Sequence, residues 1–289
     1  MNIRPYILSQ MTVGELTIAG YSVAGEESVV IVPELDVCFD IGKCPREALP
    51  MNNVLLTHGH ADHSAGLLYY FAQRDFQGME QGTVVCPVRL IDPLEDLIHA
   101  WGRVEAQVPP YEFVGIADGQ DYTIRRNLLA RAFDTKHRHP AGAVGYAIVD
   151  VRHKIKPEYA GLAQQEIVDL KKQGREITNR TEIPLVAYLG DTAAANYSDL
   201  PYVRDAKVLL TECTFFEDDH RARARKGRHI HVDDMAALLE GMNNEKIIIT
   251  HVTRRTNMGH ARRALRRVLP KNVHERVTFL MNREHIEEA

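Results

Sequence analysis

Val54-Leu55-Leu56-Thr57-His58-Gly59-His60-Ala61-Asp62-His63 runs an apolar segment directly into three imidazoles and a carboxylate. The apolar residues predict a short buried strand, and the His-x-His-x-Asp-His stretch after it predicts a metal-binding loop. His58 and His60 alternate toward one ion, while Asp62 and His63 reach a second. A lone histidine after a strand is usually solvent-facing or hydrogen-bonded, but a cluster this dense has little structural use. Two ions side by side activate water and stabilise developing charge, so the motif predicts a hydrolytic dinuclear centre.

Such a centre needs more ligands, and polar residues recur where other apolar strands stop. Asp191 follows Leu189-Gly190, His251 follows Ile247 to Thr250, Glu212 follows Ala206 to Thr211, and His137 and His139 both follow the strand ending at Phe133. Strand ends are where rigid scaffolds place chemistry. His58 and His60, with one of His137 or His139, are assigned to the first ion. Asp62, His63 and His251 are assigned to the second, with Asp191 as the bridge. Imidazole-rich donors favour two zinc ions, with manganese or iron as alternatives.

The 289 residues are 45% hydrophobic, and no Pro/Gly/Ser-rich linker divides them, which predicts one domain over 1–289. A net charge of -4, from 35 basic and 39 acidic residues, restricts any nucleic-acid contact to local patches. Cys38, Cys44, Cys86 and Cys213 form no disulfide framework, which fits a reducing compartment. Met1 to Gln10 lacks the apolar core of a signal peptide, and no stretch approaches the roughly 20 apolar residues of a membrane span. A cytoplasmic location with no membrane partner is expected.

Strands are predicted at Leu16–Val23, Ser28–Val32, Asp36–Asp40, Val54–Thr57, Val84–Cys86, Leu128–Phe133, Gly145–Val151, Leu185–Leu189, Ala206–Thr211 and Lys246–Thr250. The first of these read as an antiparallel sheet. Helical spacing follows His63 through Phe71 and recurs over Asp92–Trp101, and a basic, helix-forming insertion is predicted over about 152–181. Arg283 to Ala289 read as a frayed polar end. No sequence repeat is legible, although a two-sheet fold can hide a structural one.

Several blocks together resemble a known family. They are Phe39-Asp40-Ile41-Gly42-Lys43-Cys44-Pro45, the His58 motif, Phe133 to His137 with Gly145-Tyr146, Gly190-Asp191-Thr192, Thr211-Glu212-Cys213-Thr214-Phe215, His229 to His231, and Thr250-His251. Their order and spacing are similar to those of the short-form ribonuclease Z enzymes (tRNase Z), above all the plant type, within the metallo-β-lactamase-fold hydrolases. The His motif and Gly-Asp-Thr belong to the whole superfamily, whereas the other blocks are narrower. The resemblance implies an α/β fold, a four-layer αββα sandwich, and a zinc-dependent endoribonuclease acting on precursor tRNA as a homodimer. It places the metal histidine on His137 rather than His139. It implies His231 as proton donor to the leaving 3′ oxygen, oriented by Glu212, with Asp62 close to the chemistry and Arg255 near the scissile phosphate. His231 also has the placement of a helix-cap residue before Asp233-Asp234.

The chain departs from the family in the loop Arg138 to Val144, which is longer and lacks the usual serine before Gly145-Tyr146, and in an insertion without the Gly-Pro-rich signature of bacterial members. Arg221, Arg223, Arg225, Lys226 and Arg228 form one basic cluster, and Arg262, Arg263, Arg266 and Arg267 pair like charges at i,i+4 in another. The alternative reading keeps fold and metals but gives the site a small phosphodiester, lactone or thioester. A non-catalytic RNA-binding protein is a third, which the full set of ligand types argues against.

Overall fold

The computed structural model describes residues 8–281. Among them lie two seven-stranded sheets. The first carries β1 (Ser9–Val13), β2 (Leu16–Val23), β3 (Glu27–Val32), β4 (Val37–Phe39), β5 (Asn53–Leu55), β6 (Thr83–Pro87) and β7 (Glu112–Ile116), side by side in that order. The second carries β8 (Asp121–Arg125), β9 (Leu128–Asp134), β10 (Val144–Ile155), β11 (Thr178–Tyr188), β12 (Val208–Glu212), β13 (Lys246–Thr250) and β14 (Val277–Phe279), again in sequence order across the sheet.

Both sheets repeat one pairing scheme. The first three pairings are antiparallel and the last three parallel, in β1 to β7 and in β8 to β14 alike. The opening sheet is therefore mixed rather than purely antiparallel, because β5 joins β4 in parallel. This is a structural duplication with no legible counterpart in the sequence.

Three apolar layers set the architecture. Between the sheets, Ile18, Val30, Val32, Phe39 and Leu55 pack with Tyr146, Ile148, Val186, Tyr188, Leu210 and Ile248. On the outer side of the first sheet, Val29, Ile31, Val54 and Leu56 meet Tyr70 and Phe71 of helix Leu67–Phe76 and Leu94 and Ile98 of helix Ile91–Glu105. On the outer side of the second, Val149, Ala187, Leu209 and Ile249 meet Met235, Leu238, Ala261 and Leu265. Alternate residues of Val29-Val30-Ile31-Val32 thus enter different cores, as strand periodicity requires. The result is the expected αββα sandwich.

The insertion departs from its helical expectation. β10 and β11 continue past the sheet as a two-stranded ribbon, pairing Arg152 with Thr181, His153 with Arg180, Lys154 with Asn179 and Ile155 with Thr178. Helix is confined to Gln164–Lys172 at the tip, with a 3-10 turn at Pro157–Tyr159. Both ribbon faces meet solvent, so its strands carry polar residues without an apolar alternation. Residues 283–289, read as a frayed end, lie outside the described residues.

β4 and β5 run the same way in one sheet and β9, β11, β12 and β13 in the other, and the parallel bridge between Val23 and Val252 aligns the two sets, so their carboxyl ends meet along one edge of the sandwich. Open α/β sheets bind ligands at that edge. Asp40, Thr57 to His63, His137, Asp191, Glu212 and His251 all follow or end these strands. Asp40 and His251 turn away from their strands in the left-handed region, at φ 53° and 56°.

Candidate metal centre and active site

The loop after β5 and the short helix Ala61–Ser64 bring the first motif together. His58 Nε2 and His137 Nε2 lie 2.9 Å and 3.2 Å from His60 Nδ1. These three nitrogens and Asp191 form one group of mutually close ligand atoms, and Asp62, His63 and His251 form a second. Asp191 Oδ2 joins them, standing 3.8 Å from His58 Nε2 and 3.4 Å from both His63 Nε2 and His251 Nε2. His139 stays beside the group: its ring centroid is 5.1 Å from that of His60, and its Nδ1 accepts from Ala141 N at 3.2 Å.

Behind the inner nitrogens of His58, His63, His137 and His251 stands a partner that orients the ring. Asp40, fully buried, accepts from His63 Nδ1 at 2.7 Å, Thr57 N at 2.8 Å, Thr57 Oγ1 at 2.9 Å and Tyr188 OH at 2.9 Å. Thr57 Oγ1, its proton committed to Asp40, accepts from His58 Nδ1 at 2.9 Å. His251 Nδ1 faces Thr214 Oγ1 at 3.0 Å, and that hydroxyl donates to Glu212 Oε2 at 2.5 Å. His137 Nδ1 faces Arg228 O at 3.4 Å. Outer hydrogen bonds of this kind orient metal-ligating imidazoles and leave their inner lone pairs free.

The residues fit a divalent ion on this chemistry. His63 Nε2 is buried and has no hydrogen-bond partner among the described residues, although two carboxylates face it. Burial pushes the His58 and His137 pKa values down, the former well below its ordinary range, so both imidazoles are neutral donors. Burial pushes Asp191 the other way, but the His251 and His63 imidazoles outweigh it and hold its carboxyl well below the ordinary range. Burial opposes charge on His63, but Asp191 and Asp40 hold its pKa well above the ordinary range. Imidazole nitrogens converging on a shared carboxylate suit a divalent ion.

Glu212 does not orient His231. Its buried carboxylate accepts from His229 Nδ1 at 2.9 Å, Thr192 N at 2.7 Å and Ile230 N at 3.1 Å, in addition to Thr214. His229 stacks on His251 with ring centroids 5.3 Å apart and planes 19° apart. Burial opposes its charge, yet the Glu212 carboxylate, helped by Asp191, holds its pKa up to about 9. His231 faces away: its Nδ1 accepts from Asp233 N at 3.3 Å and its Nε2 meets Glu217 O at 3.0 Å. It caps the turn Val232–Asp234, the role that Asp233-Asp234 foreshadowed.

Asp62 Oδ2 accepts from Gly25 N at 2.9 Å and lies 3.5 Å from His251 Nε2. Arg255 lies exposed in the turn after His251. The sequence reading did not single out Asp40, Thr57, Tyr188 or Thr214 as supports of the ligands, nor His229 over His231. Asp40, Thr214 and His229 all stand in the stretches that resemble the family, and Asp40 also directly follows a buried strand.

Two packed mixed sheets with a histidine and aspartate cluster at their strand ends define a metal-dependent hydrolase of the β-lactamase superfamily. Residues 40–161 match the family described as Beta-lactamase superfamily domain. The chain is 33% identical to tRNase Z TRZ1 of Arabidopsis thaliana over 82% of its own length and 85% of that protein's. It is 34% identical to the chloroplastic tRNase Z TRZ2 of the same plant, over 88% and 72%. The chain belongs to the ribonuclease Z (tRNase Z) family. Among solved structures, human tRNase Z, short form, superposes with a TM-score of 0.58 at 16% identity, covering 90% of this chain and 93% of that one, which is a likeness of fold.

Proposed function

We propose that this chain is a single-domain endoribonuclease that removes the 3′ trailer from precursor tRNA, leaving a 3′-hydroxyl on the tRNA and a 5′-phosphate on the trailer. The observation that carries the reading is the Glu212–His229 pair, 2.9 Å long, set beside the histidine and aspartate cluster. Phosphodiester hydrolysis must protonate a departing oxygen, and a histidine held by a buried carboxylate is suited to that step. The family match supports the RNA substrate.

His58, His60, His137 and Asp191 would hold one ion, and Asp62, His63, His251 and Asp191 the other, with zinc the favoured metal and manganese or iron as alternatives. Bound there, such ions supply activated water and counter-charge for the phosphoryl oxygens. Glu212 fixes Nδ1 of His229, leaving Nε2 to deliver a proton to the 3′ oxygen as the P–O3′ bond breaks. Arg255 would grip non-bridging oxygens with its planar donors.

RNA would reach this edge across a basic surface. Arg221, Arg223, Arg225, Lys226 and Arg228 are exposed directly before His229, on and after helix Arg221–Gly227. Arg221 pairs with Asp233, which also lies 4.0 Å from Arg267 on helix Met258–Val268, so the two basic helices flank one acidic residue. The protein is further proposed to act as a cytoplasmic homodimer; among the described residues, no helix is long and apolar enough to cross a membrane.

The test is incubation of zinc-loaded protein with a 3′-extended precursor tRNA, beside bis(p-nitrophenyl) phosphate and a lactone panel. Trailer release that disappears in His63→Ala is the expected result. An intact precursor together with rapid turnover of a small ester would replace this reading with that of a small-molecule hydrolase.

A further inference from the structure

The turn between β2 and β3, the loop Gly42 to Pro45 and Arg254 shape an open depression of about 360 Å³ lined by Tyr21, Glu26, Glu27, Lys43, Pro45 and Arg254. Backbone contacts tie its walls to the Asp62 side of the cluster. Gly25, beside Glu26, donates to Asp62 at 2.9 Å, and Gly42, beside Lys43, donates to His63 O at 3.1 Å. Arg254 lies three residues beyond His251.

Glu27 is the unusual member of this lining. It is 1% exposed, and its carboxylate packs so closely on Gly42 that a Cβ there would meet Glu27 Cγ. Oε1 accepts from Lys43 N at 2.9 Å, but Oε2 is buried with no hydrogen-bond partner among the described residues. The Lys43 ammonium stands 3.9 Å from Oε2, beyond hydrogen-bond reach, on a side chain that is 66% exposed. A buried carboxylate oxygen without a donor is costly, and a donor arriving from outside would satisfy it. The rest of the lining combines the Tyr21 ring, the Pro45 face and Glu26, which accepts from Tyr21 OH at 3.4 Å and pairs with the Arg254 guanidinium at 3.3 Å, so the ring and the planar ion pair are the surfaces on which a flat π system would rest.

We propose that this depression is a nucleobase subsite for an unpaired nucleotide beside the scissile phosphate, in which Glu27 Oε2 selects bases bearing an exocyclic amino group. An ionised carboxylate only accepts hydrogen bonds. Adenine, cytosine and guanine each present an amino N–H on the edge used for pairing. Uracil flanks its one N–H with two carbonyl oxygens, which a carboxylate repels. Unpaired ends are also where RNA-binding proteins read base edges. The inference rests on the ribonuclease reading and adds to it a preference at one nucleotide.

Single-turnover cleavage of precursor tRNAs that differ only in the base on either side of the cut bond tests it. The native protein is expected to cut amino-bearing members about tenfold faster than the uracil member at one of the two positions, the scale of one discriminated base. Glu27→Gln keeps an acceptor for Lys43 N and adds a donor for a uracil carbonyl, so the preference should collapse or invert. Lys43→Met, at an exposed position, should sharpen it by uncovering the carboxylate. Equal rates for all bases in the native protein, or an unchanged ranking in Glu27→Gln, would overturn the subsite while leaving the ribonuclease reading intact. Failure to cut any precursor would overturn both.

Discussion

Glu212 ends β12 with a fully buried carboxylate that supports two imidazoles at once, His229 directly and His251 through the Thr214 hydroxyl. Its loss should therefore affect both proton transfer and ligand orientation. His229→Ala is expected to slow trailer cleavage by roughly 10²–10⁴-fold with metal content retained, the range for a lost general acid. His231→Ala should leave that rate close to native and instead lower the thermal midpoint, since a lost helix cap costs about 1 kcal/mol. A comparison of single-turnover rates and melting curves for the two variants separates the roles. The pH dependence carries a definite sign. The acid form of His229 is needed and its pKa is about 9, so the native rate should fall as pH rises through about 9. Glu212→Gln removes the supporting charge, and the alkaline limb should move toward the ordinary histidine value near ~6.5. The stabilisation that His229 contributes follows the same sign: it is full below the ordinary histidine value and lost as pH rises through the folded one.

At the scale of elements, the strands missing from the sequence reading have one feature in common. β1, β7, β8 and β14 are the outermost strands of the two sheets. Edge strands are half-solvated and carry charges that discourage further pairing, so stretches such as Asp121-Tyr122-Thr123-Ile124-Arg125 lack a buried signature. The central strands, buried on both faces, were legible because their apolar runs have no other use. Metal ligands were legible for the related reason that they stand where those runs stop. Their supports were not, because Asp40 meets Tyr188 across 148 residues of chain, a contact no local pattern encodes. Two element-scale outcomes are expected. Gly190→Ala places a Cβ 2.8 Å from Thr57 Cγ2 at a residue with φ 60°, so it should destabilise the fold by more than about 1 kcal/mol in denaturant titration and disturb the Thr57–His58 contact. Joining Ile155 to Thr178 by a short turn removes the insertion's tip between two residues that already pair. The shortened protein should bind metal and hydrolyse bis(p-nitrophenyl) phosphate at native rates but cut precursor tRNA poorly; unimpaired tRNA cleavage would show the tip to be dispensable.

For the whole molecule, the duplicated sheet topology creates one edge where strands from both halves end, and the chemistry occupies that edge. The opposite surface of the first helical layer has a different character. Leu97, Trp101 and Val104 form an exposed stripe on helix Ile91–Glu105, and Tyr69 and Phe76 are exposed on helix Leu67–Phe76 of the same layer. An apolar stripe of this kind suits self-association, and Trp101 is the chain's one tryptophan, so it reports on its own burial. Dilution should shift its fluorescence to the red as light scattering records loss of dimer mass, and Trp101→Glu should yield monomer at concentrations where the native chain is dimeric. A native mass equal to one chain at all concentrations would exclude the dimer.

The central claim is that a Glu212–His229 pair beside a histidine and aspartate metal cluster makes one endonucleolytic cut in precursor tRNA. Its most direct test is end analysis of a doubly labelled precursor after a single turnover with native and His229→Ala protein. The account predicts that the native protein releases the trailer as one intact piece with a 5′-phosphate, leaves a 3′-hydroxyl on the tRNA, and yields almost none of either product once His229 is removed. Trailer loss one nucleotide at a time, or native-rate cleavage by His229→Ala, would contradict it.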